Sequence, residues 1–351
     1  MYKDRLDLYS QIEKKRKRPL IAYVTSSRQN NGAGIISADV IPEFCNQIKL
    51  IPDKYKKIDL LIVSNGGDPI TVWRIMSLLR ERFEHIGVLI PYQAFSGATL
   101  LALGADEIIM HPFSNLGPVD PQMQSHSPNG TVHFSADDIT HYMEFVKNEV
   151  GITDQEQKER AFELLCDKVT PLDIGVARKS TILSMSLGEK LLGTHMQDPN
   201  TIKSISSTLN KSFYHHGYPI GKKEAIALGL PVAKANKDIE NIMWNIWSDF
   251  EKEMKCNDPF DPLSTAMEQD AFAEKCGIVN KHDFSKETYA TVITNIPVGV
   301  NLVYYELLHA ALESRNAHSG YYTTSQLSIS KEPNLNLHYS ITQICGKWSR
   351  R

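Results

Sequence analysis

Two consecutive apolar runs in this chain each end in a glycine-containing turn that leads into a helix-like segment. The first run covers residues 58–63 and is followed by the turn at 64–69, and the second covers 86–92 and is followed by the turn at 96–97. A third apolar run at 107–110 continues the alternation. Strands that alternate with helices form parallel sheets with right-handed crossovers. The pattern therefore predicts an α/β fold, built as a spiral of βαβ units with a mainly parallel sheet and flanking helices.

Ser96 stands at the second of these turns and is the leading candidate for a nucleophile. It lies between the strand-like run and a helix start of small apolar residues, and Gly97 permits an unusual backbone conformation at the turn. Backbone N–H groups near a helix N-terminus stabilise developing negative charge. Serine is also a favoured helix N-cap, so the residue type alone leaves both roles open.

The paired glycines Gly66 and Gly67 form the first turn and predict exposed backbone amides. Such a loop can donate N–H groups to an oxyanion, and side chains at these positions would crowd a substrate. Gly97 supplies a third amide at the second turn. Gly-Gly is also an ordinary turn, but here two such turns are predicted to open on one edge of the same sheet.

Four short segments occur in an order that resembles the Clp protease and signal peptide peptidase A superfamily. They lie at residues 64–67, 95–98, 104–108 and 117–122, within a resemblance that covers roughly residues 18–235. Within the superfamily the chain resembles the serine dehydrogenase proteinase family of Clp-like serine peptidases. The resemblance implies a Clp/crotonase-type spiral fold and hydrolysis of peptide bonds through an acyl-enzyme, with the glycine amides forming an oxyanion hole.

The same resemblance implies a Ser, Asp, His triad in that chain order. Ser96 fits the nucleophile, Asp120 fits the acid, and His216, which precedes a Gly-Tyr-Pro-Ile segment, fits the base. In such a triad the imidazole takes the hydroxyl proton and returns it to the leaving amine, while the carboxylate fixes the imidazole tautomer. Asp120 precedes a proline, so a role as a simple turn residue stays open.

Other residues compete for the role of base. His215 is adjacent to His216, so either ring could face the cleft, and His111 follows the third strand-like run. Lys147 lies at a distance from Ser96 comparable to that in the Ser-Lys dyad of signal peptide peptidase A enzymes. A lysine acts as a base only when burial or positive charge lowers its pKa. Because Lys147 has acidic neighbours on an amphipathic helix, the triad is favoured over the dyad.

Composition excludes several classes of function. The net charge of −3 argues against a nucleic-acid partner, although the basic cluster at residues 14–18 leaves a peripheral contact with an anionic membrane open. No segment approaches the roughly 20 apolar residues of a membrane span, and a signal peptide is absent, so we expect a cytoplasmic protein. The archaeal members of the family usually carry a membrane segment.

The sequence predicts neither a cofactor nor a metal site. The five cysteines are odd in number and form no Cys-x-x-Cys pair, which is typical of reduced thiols without a disulfide framework or zinc. A phosphate-binding Gly-x-x-x-x-Gly-Lys motif is also absent, so an ATPase that unfolds substrates would be a separate partner.

Three parts are predicted along the chain. They are a basic helix at 1–18, a Clp-like peptidase domain at 19–255 and an α+β appendage of unknown role at 256–351. In the appendage we predict strands at 290–294, 321–330 and 335–344 and a helix at 300–314. Helices are predicted at 136–150, 154–169, 172–195 and 201–212, after a loop at 125–130. By resemblance these helices imply a homo-oligomer.

The leading hypothesis for function is a serine endopeptidase that acts on peptides or proteins. One alternative is a catalytically inactive Clp-like scaffold or binding protein. Another is a crotonase-type acyl-CoA enzyme, which uses two backbone amides on a thioester and needs no serine nucleophile. The sequence does not specify the substrate, the cleavage preference, the oligomer order or the pathway.

Overall fold

The computed structural model describes residues 1–127, 130–211, 213, 215–277, 293–333 and 336–350. The strands are β1 (Leu20–Thr25), β2 (Lys57–Val63), β3 (His85–Ile90), β4 (Gln93–Ala94), β5 (Glu107–Met110), β6 (Asn115–Leu116), β7 (Met123–Ser127), β8 (Gly130–Phe134), β9 (Ile220–Gly221), β10 (Gly299–Ser314), β11 (His318–Lys331) and β12 (Leu337–Ser349). The helices are α1 (Tyr2–Arg16), α2 (Ile41–Lys49), α3 (Pro69–Arg82), α4 (Gly97–Leu103), α5 (Ala136–Asn148), α6 (Gln155–Cys166), α7 (Pro171–Leu192), α8 (Pro199–Lys211), α9 (Lys222–Ala227), α10 (Lys237–Glu253), α11 (Pro262–Met267) and α12 (Asp270–Lys275).

A seven-stranded sheet in the order β12-β11-β10-β1-β2-β3-β5 forms the centre of the fold. Strands β1, β2, β3 and β5 run parallel, as predicted from the alternation of strands and helices. Strands β10, β11 and β12 form an antiparallel meander that joins the parallel half along β1. The predicted α/β fold class is confirmed, and the carboxyl ends of β1, β2 and β3 lie on one edge of the sheet.

Both faces of the parallel strands are buried along most of their length, which explains why most of their residues are apolar. Alternate residues of β1 belong to different cores: Ile21 and Tyr23 face the core that contains α2 and α3, while Leu20, Ala22 and Val24 face the core that contains α1 and α10. The sheet is therefore held between two helical layers. Among the described residues, no helix has an apolar stretch sufficient to span a bilayer.

The C-terminal predictions have mixed outcomes. The helix predicted at 300–314 is wrong, because these residues form the long strand β10. Its second half lies between β1 and β11 and is buried on both faces, so the alternation typical of a strand is lost there. The strands predicted at 321–330 and 335–344 are confirmed by β11 and β12. The strand predicted at 290–294 falls largely outside the described residues.

The segment that follows the third parallel crossover forms a smaller layer. The loop predicted at 125–130 is partly wrong, since β7 pairs antiparallel with β8. The four helices predicted after it are confirmed by α5, α6, α7 and α8. The side chains of Phe134, Val169 and Ala177 form a small core between these elements.

The two predicted terminal parts contact the central sheet. Helix α1 places Arg5 against Glu313 of β10, with 2.6 Å between Nη2 and Oε1, and β10 pairs with β1 from Ile21 to Thr25. The division of the chain at residues 18 and 255 stays a prediction, but the first and last described strands, β1 and β12, belong to one sheet.

Candidate active site

Ser96 adopts a backbone conformation that side-chain-bearing residues rarely occupy. Its φ is 51° and its ψ is −118°, and it immediately precedes helix α4. Its side chain makes no capping hydrogen bond to this helix, so the N-cap role lacks its usual contact. Backbone strain of this kind persists only where the surroundings hold it, and it concentrates at functional sites.

Buried contacts hold the turn that carries Ser96. Every residue of α4 is buried. The hydroxyl oxygen of Thr99 lies 2.7 Å from Ala94 O and 2.9 Å from Gly117 O, and it accepts a hydrogen bond from Gly117 N–H at 3.1 Å. The chain before Ser96 and the chain that leads to Asp120 are therefore both joined to the first turn of the same helix.

The glycine turns touch one another and Ser96 so closely that side chains would not fit. A Cβ added to Gly66, whose φ is 107°, would lie 2.8 Å from Ser96 Cβ. On Gly67, whose φ is 149°, it would lie 2.2 Å from Ile36 O, and on Gly97 it would lie 2.8 Å from Gly67 O. Three loops at the carboxyl edge of the sheet thus meet at a single point, and glycine is required at each contact.

The backbone amides of the three glycines differ in whether they donate a hydrogen bond. The N–H of Gly66 donates to Ser64 Oγ at 3.0 Å, so this residue supports the turn. In the described part of the chain, the N–H groups of Gly67 and Gly97 donate to no other group. Of the three glycines predicted for the oxyanion hole, Gly67 and Gly97 therefore have available donors.

Asp120 and His216 are hydrogen-bonded to each other. Nδ1 of His216 lies 2.8 Å from Oδ1 of Asp120, and Oδ2 of Asp120 accepts a hydrogen bond from Gln122 Nε2 at 2.6 Å. The Asp120 side chain is 14% exposed and that of His216 is 34% exposed. Because a carboxylate only accepts, the proton of a neutral His216 sits on Nδ1 and Nε2 is left as the basic nitrogen.

The segment before Asp120 is fixed to two helices. Val119 N–H donates to Leu209 O of α8 at 2.9 Å, and Val119 O accepts from Ser184 Oγ of α7 at 2.8 Å. These bonds fix the backbone of Val119, the residue directly before Asp120. Asp120 and His216 also line a cavity of about 210 Å³ together with Asp137, Asp138 and Lys211.

The structure does not join Ser96 to His216 by a hydrogen bond within the described residues. The two parts are linked through Gly117, three residues before Asp120, which bonds to Thr99 in the first turn of α4 after Ser96. Ser96 Oγ and His216 Nε2 both lack a hydrogen-bond partner in the described part of the chain.

The other candidate bases have different surroundings. His215 is exposed, and its Nδ1 accepts from Gly217 N–H at 3.0 Å. His111 is buried, its ring stacks on Trp244 at 4.9 Å, and burial lowers its pKa. Lys147 is exposed in the last turn of α5. Of the four candidates, His216 is the residue that contacts Asp120.

Sequence reasoning missed Ile36 as part of the site. Its N–H donates to Gly66 O at 2.8 Å, and its carbonyl accepts from Asp68 N–H at 2.9 Å. The signal in the sequence is limited to the polar, glycine-containing composition of residues 26–36. No periodicity marks which residue of such a loop contacts the next loop.

A family model described as "ClpP-like SDH-type serine proteinase" matches residues 1–271. The chain belongs to this family. Two proteins from Methanocaldococcus jannaschii are similar to this chain. "Uncharacterized protein MJ0137" is 28% identical over 233 residues, which cover 65% of this chain and 73% of the relative. "Uncharacterized protein MJ1495" is 36% identical over 124 residues, which cover 34% of this chain and 42% of the relative.

Two solved structures are similar to this chain at low sequence identity. One is a serine-to-alanine mutant of 1510-N membrane-bound stomatin-specific protease, with a TM-score of 0.39, 13% identity and coverage of 64% of this chain and 84% of that chain. The other is a lysine-to-alanine mutant of that protease in complex with a substrate peptide, with a TM-score of 0.39, 15% identity and coverage of 63% and 77%. The match to the family model ends at residue 271, before β10 begins, so the C-terminal meander of β10, β11 and β12 lies outside it.

Proposed function

We propose that this protein is a serine peptidase in which Ser96 is the nucleophile, His216 the base and Asp120 the carboxylate that orients the base. The observation that carries the proposal is the hydrogen bond between Asp120 and His216, which joins two side chains 96 positions apart in the chain. Membership of a serine proteinase family supports the same chemistry. The substrate in this proposal is a peptide or a protein segment.

Acylation begins when Ser96 Oγ attacks the carbonyl carbon of the scissile peptide bond. His216 Nε2 takes the hydroxyl proton as the new C–O bond forms, and the carbonyl electron pair moves onto oxygen. Asp120 accepts the Nδ1–H hydrogen bond throughout, which stabilises the imidazolium that results. This step requires Ser96 Oγ to come within hydrogen-bond distance of His216 Nε2 when substrate binds, since catalytic contacts tighten in the substrate complex.

The amides of Gly67 and Gly97 are the proposed donors to the oxyanion. Such donors act on charge that develops only in the transition state, and the loss of one typically costs about 10²- to 10³-fold in kcat. When the tetrahedral intermediate collapses, the C–N bond breaks and His216 returns its proton to the leaving amine. Water then attacks the acyl-enzyme with His216 as base, and the acid product leaves as Ser96 regains its proton.

His216 is proposed as the base in preference to Lys147. Lys147 lies exposed on α5, where nothing excludes water from its ammonium group. A dyad lysine must be neutral near pH 7, which requires burial or adjacent positive charge. The expected homo-oligomer and the cytoplasmic location stay predictions, and native mass spectrometry checks the first of them.

Labelling with a fluorophosphonate probe tests the assignment. We expect the probe to modify Ser96 in the wild type, to fail with Ser96→Ala, and to react much more slowly with His216→Ala. Lys147→Ala and the matched neighbour His215→Ala should react as the wild type does, and hydrolysis of fluorescent casein should follow the same pattern. Loss of labelling in Lys147→Ala with retention in His216→Ala would assign the dyad instead.

The two other classes of function give different results in the same assay. An inactive scaffold leaves the wild type unlabelled, and casein hydrolysis is then the same for the wild type and Ser96→Ala. An acyl-CoA enzyme would act on a thioester such as acetyl-CoA with equal rates in the wild type and Ser96→Ala. Either pattern would contradict the peptidase proposal.

A further inference from the structure

We propose that His309 of β10 is a positioning residue for the candidate oxyanion hole, so that the C-terminal meander outside the family match takes part in catalysis. The inference rests on the proposed function, because it assigns His309 a role in placing the amide of Gly67. It is carried by a continuous series of close contacts that begins at His309 and ends beside Ser96.

The series begins with a bulge in β10. Leu308 pairs with Tyr322 and Ala310 pairs with Tyr321, so His309 is the extra residue between them. A bulge redirects the side chain of its extra residue out of the regular ladder. Here the redirected imidazole reaches the loop that follows β1.

The imidazole of His309 connects this loop to β11. Its Nδ1 lies 3.0 Å from Ala33 O, and its Nε2 lies 2.7 Å from Thr323 Oγ1. A carbonyl oxygen only accepts, so Nδ1 carries the proton, and Nε2 of the neutral ring accepts from the threonine hydroxyl. Burial lowers the pKa of His309, which favours this neutral form. Both ring nitrogens are therefore used, and the ring orientation is fixed.

The backbone of His309 holds the same loop from a second direction. Its carbonyl oxygen accepts from Ser26 N–H at 2.8 Å, and Ser26 O accepts from Gly34 N–H at 2.8 Å. A Cβ on Gly34 would lie 1.9 Å from His309 O. The loop thus rests directly on the bulge, and only glycine can occupy the point of contact.

At Ile36, two residues after Gly34, the loop contacts the turn that contains Gly67. Both backbone groups of Ile36 bond to the next loop, through Gly66 O and Asp68 N–H, on either side of Gly67. A Cβ on Gly67 would lie 2.2 Å from Ile36 O, so the two backbones are in direct contact. Gly67 in turn abuts Gly97, which follows Ser96.

Contacts that position an oxyanion donor are expected to affect kcat more than KM. An oxyanion donor must lie within hydrogen-bond distance of an atom that carries charge only in the transition state. A displacement of about 1 Å can cost about 10²-fold in rate. Between Ser26 and Ile36 the backbone has a short 3-10 turn at Asn30–Gly32 and an isolated antiparallel bridge between Ser27 and Ala33, and the contacts of His309 hold this loop from outside.

Variants of His309 in the full-length chain test this role. We expect His309→Ala to lower kcat on fluorescent casein about 10- to 100-fold with KM changed less than about twofold, since an oxyanion donor acts in the transition state. The rate of fluorophosphonate labelling should fall by a similar factor. His309→Gln should restore most of the rate, because its amide can donate to Ala33 O and accept from Thr323. The matched control His338→Ala changes an exposed histidine of the same meander, paired with Glu332, and should leave kcat unchanged.

Thr323→Val keeps the inference testable if His309→Ala fails to fold. This nearly isosteric change removes the partner of Nε2 and should lower kcat several-fold with little change in KM. Wild-type kcat in folded His309→Ala or in Thr323→Val would overturn the inference, as would a loss in His309→Ala that His309→Gln does not restore. An unlabelled wild type would instead overturn the proposed function itself, so the two failures are distinguishable.

Discussion

His216 Nδ1 donates a hydrogen bond to Asp120 Oδ1 across 2.8 Å, while the second oxygen of Asp120 accepts from Gln122. With both carboxylate oxygens occupied, Asp120 has one orientation relative to the imidazole. This arrangement determines the tautomer of the neutral ring, and Nε2 is the nitrogen left without a proton.

Asp120→Asn is expected to lower kcat by about 10³- to 10⁴-fold, as in other triads where the amide stabilises the wrong imidazole tautomer. The rate of fluorophosphonate labelling and casein hydrolysis measure the effect. Gln122→Ala is the matched control, because it removes a partner of Asp120 without changing the bond to His216, and it should change the rate only a few-fold. Wild-type labelling by Asp120→Asn would exclude Asp120 from the mechanism.

Gly67→Ala is expected to abolish activity, because its Cβ would meet Ile36 O at 2.2 Å and its φ of 149° suits only glycine. The measurement is probe labelling together with circular dichroism to confirm folding. Gly175→Ala is the control: it lies within α7, and among the described residues an added Cβ would meet no atom within 4 Å apart from its own helix backbone and chain neighbours. It should retain activity and gain about 0.5–1 kcal/mol in the free energy of unfolding. An active Gly67→Ala would contradict the need for a close contact between Gly67 and Ile36.

Arg5→Met is expected to lower the free energy of unfolding by about 3–5 kcal/mol, because it leaves a buried carboxylate without its cation. Glu313 is fully buried and accepts hydrogen bonds from Arg5 and from Tyr9 Oη, the latter at 2.6 Å. Urea denaturation measures the effect. Arg350→Ala removes an exposed pair with Glu43 and should cost less than about 1 kcal/mol. The double variant Arg5→Met/Glu313→Leu should recover much of the loss, and equal effects of Arg5→Met and Arg350→Ala would contradict the prediction.

The stability of the protein is expected to fall as the pH decreases below about 6.5, the usual pKa of an unfolded histidine. Burial lowers the pKa of His195, whose Nε2 lies 2.9 Å from Leu103 O. Between the folded and unfolded pKa values the unfolded chain binds more protons, so stability increases with pH and is fully present above the unfolded value. Urea midpoints at pH 7.5 and 5.5 measure the loss. His195→Gln should reduce it and the exposed His133→Gln should not; an unchanged pH dependence in His195→Gln would contradict the assignment.

The parallel half of the fold could be predicted from the sequence because buried strands alternate with helices there. Residues 58–63, 86–91 and 107–110 are apolar, short and bounded by turns, which distinguishes them from helices. Strand β10 could not be predicted in the same way. It is exposed on one side near its start and buried on both sides near its end, so no single period describes it. Its partner β1 lies at the other end of the chain, and local sequence does not report such pairing.

For the candidate site, residue type and local context predicted that Ser96 and the glycine turns lie together, since strand ends on one sheet edge are neighbours, and the structure brings them into contact. Spacing alone did not identify Asp120 or His216, whose pairing depends on the route of the chain through α5, α6, α7 and α8. No sequence motif marks Ile36 or His309. Their contacts run through backbone atoms or through a bulge, and neither leaves a periodic signal in the sequence.

The pairing of β1 with β10 has a consequence for the order of events during translation. Strand β1 leaves the ribosome well before β10, which carries His309. Until β10 arrives, the edge of β1 is unpaired and the loop beside Gly67 lacks one of its supports. If His309 positions that loop, the nascent chain acquires full hydrolytic competence only after β10 has been synthesised and has paired with β1.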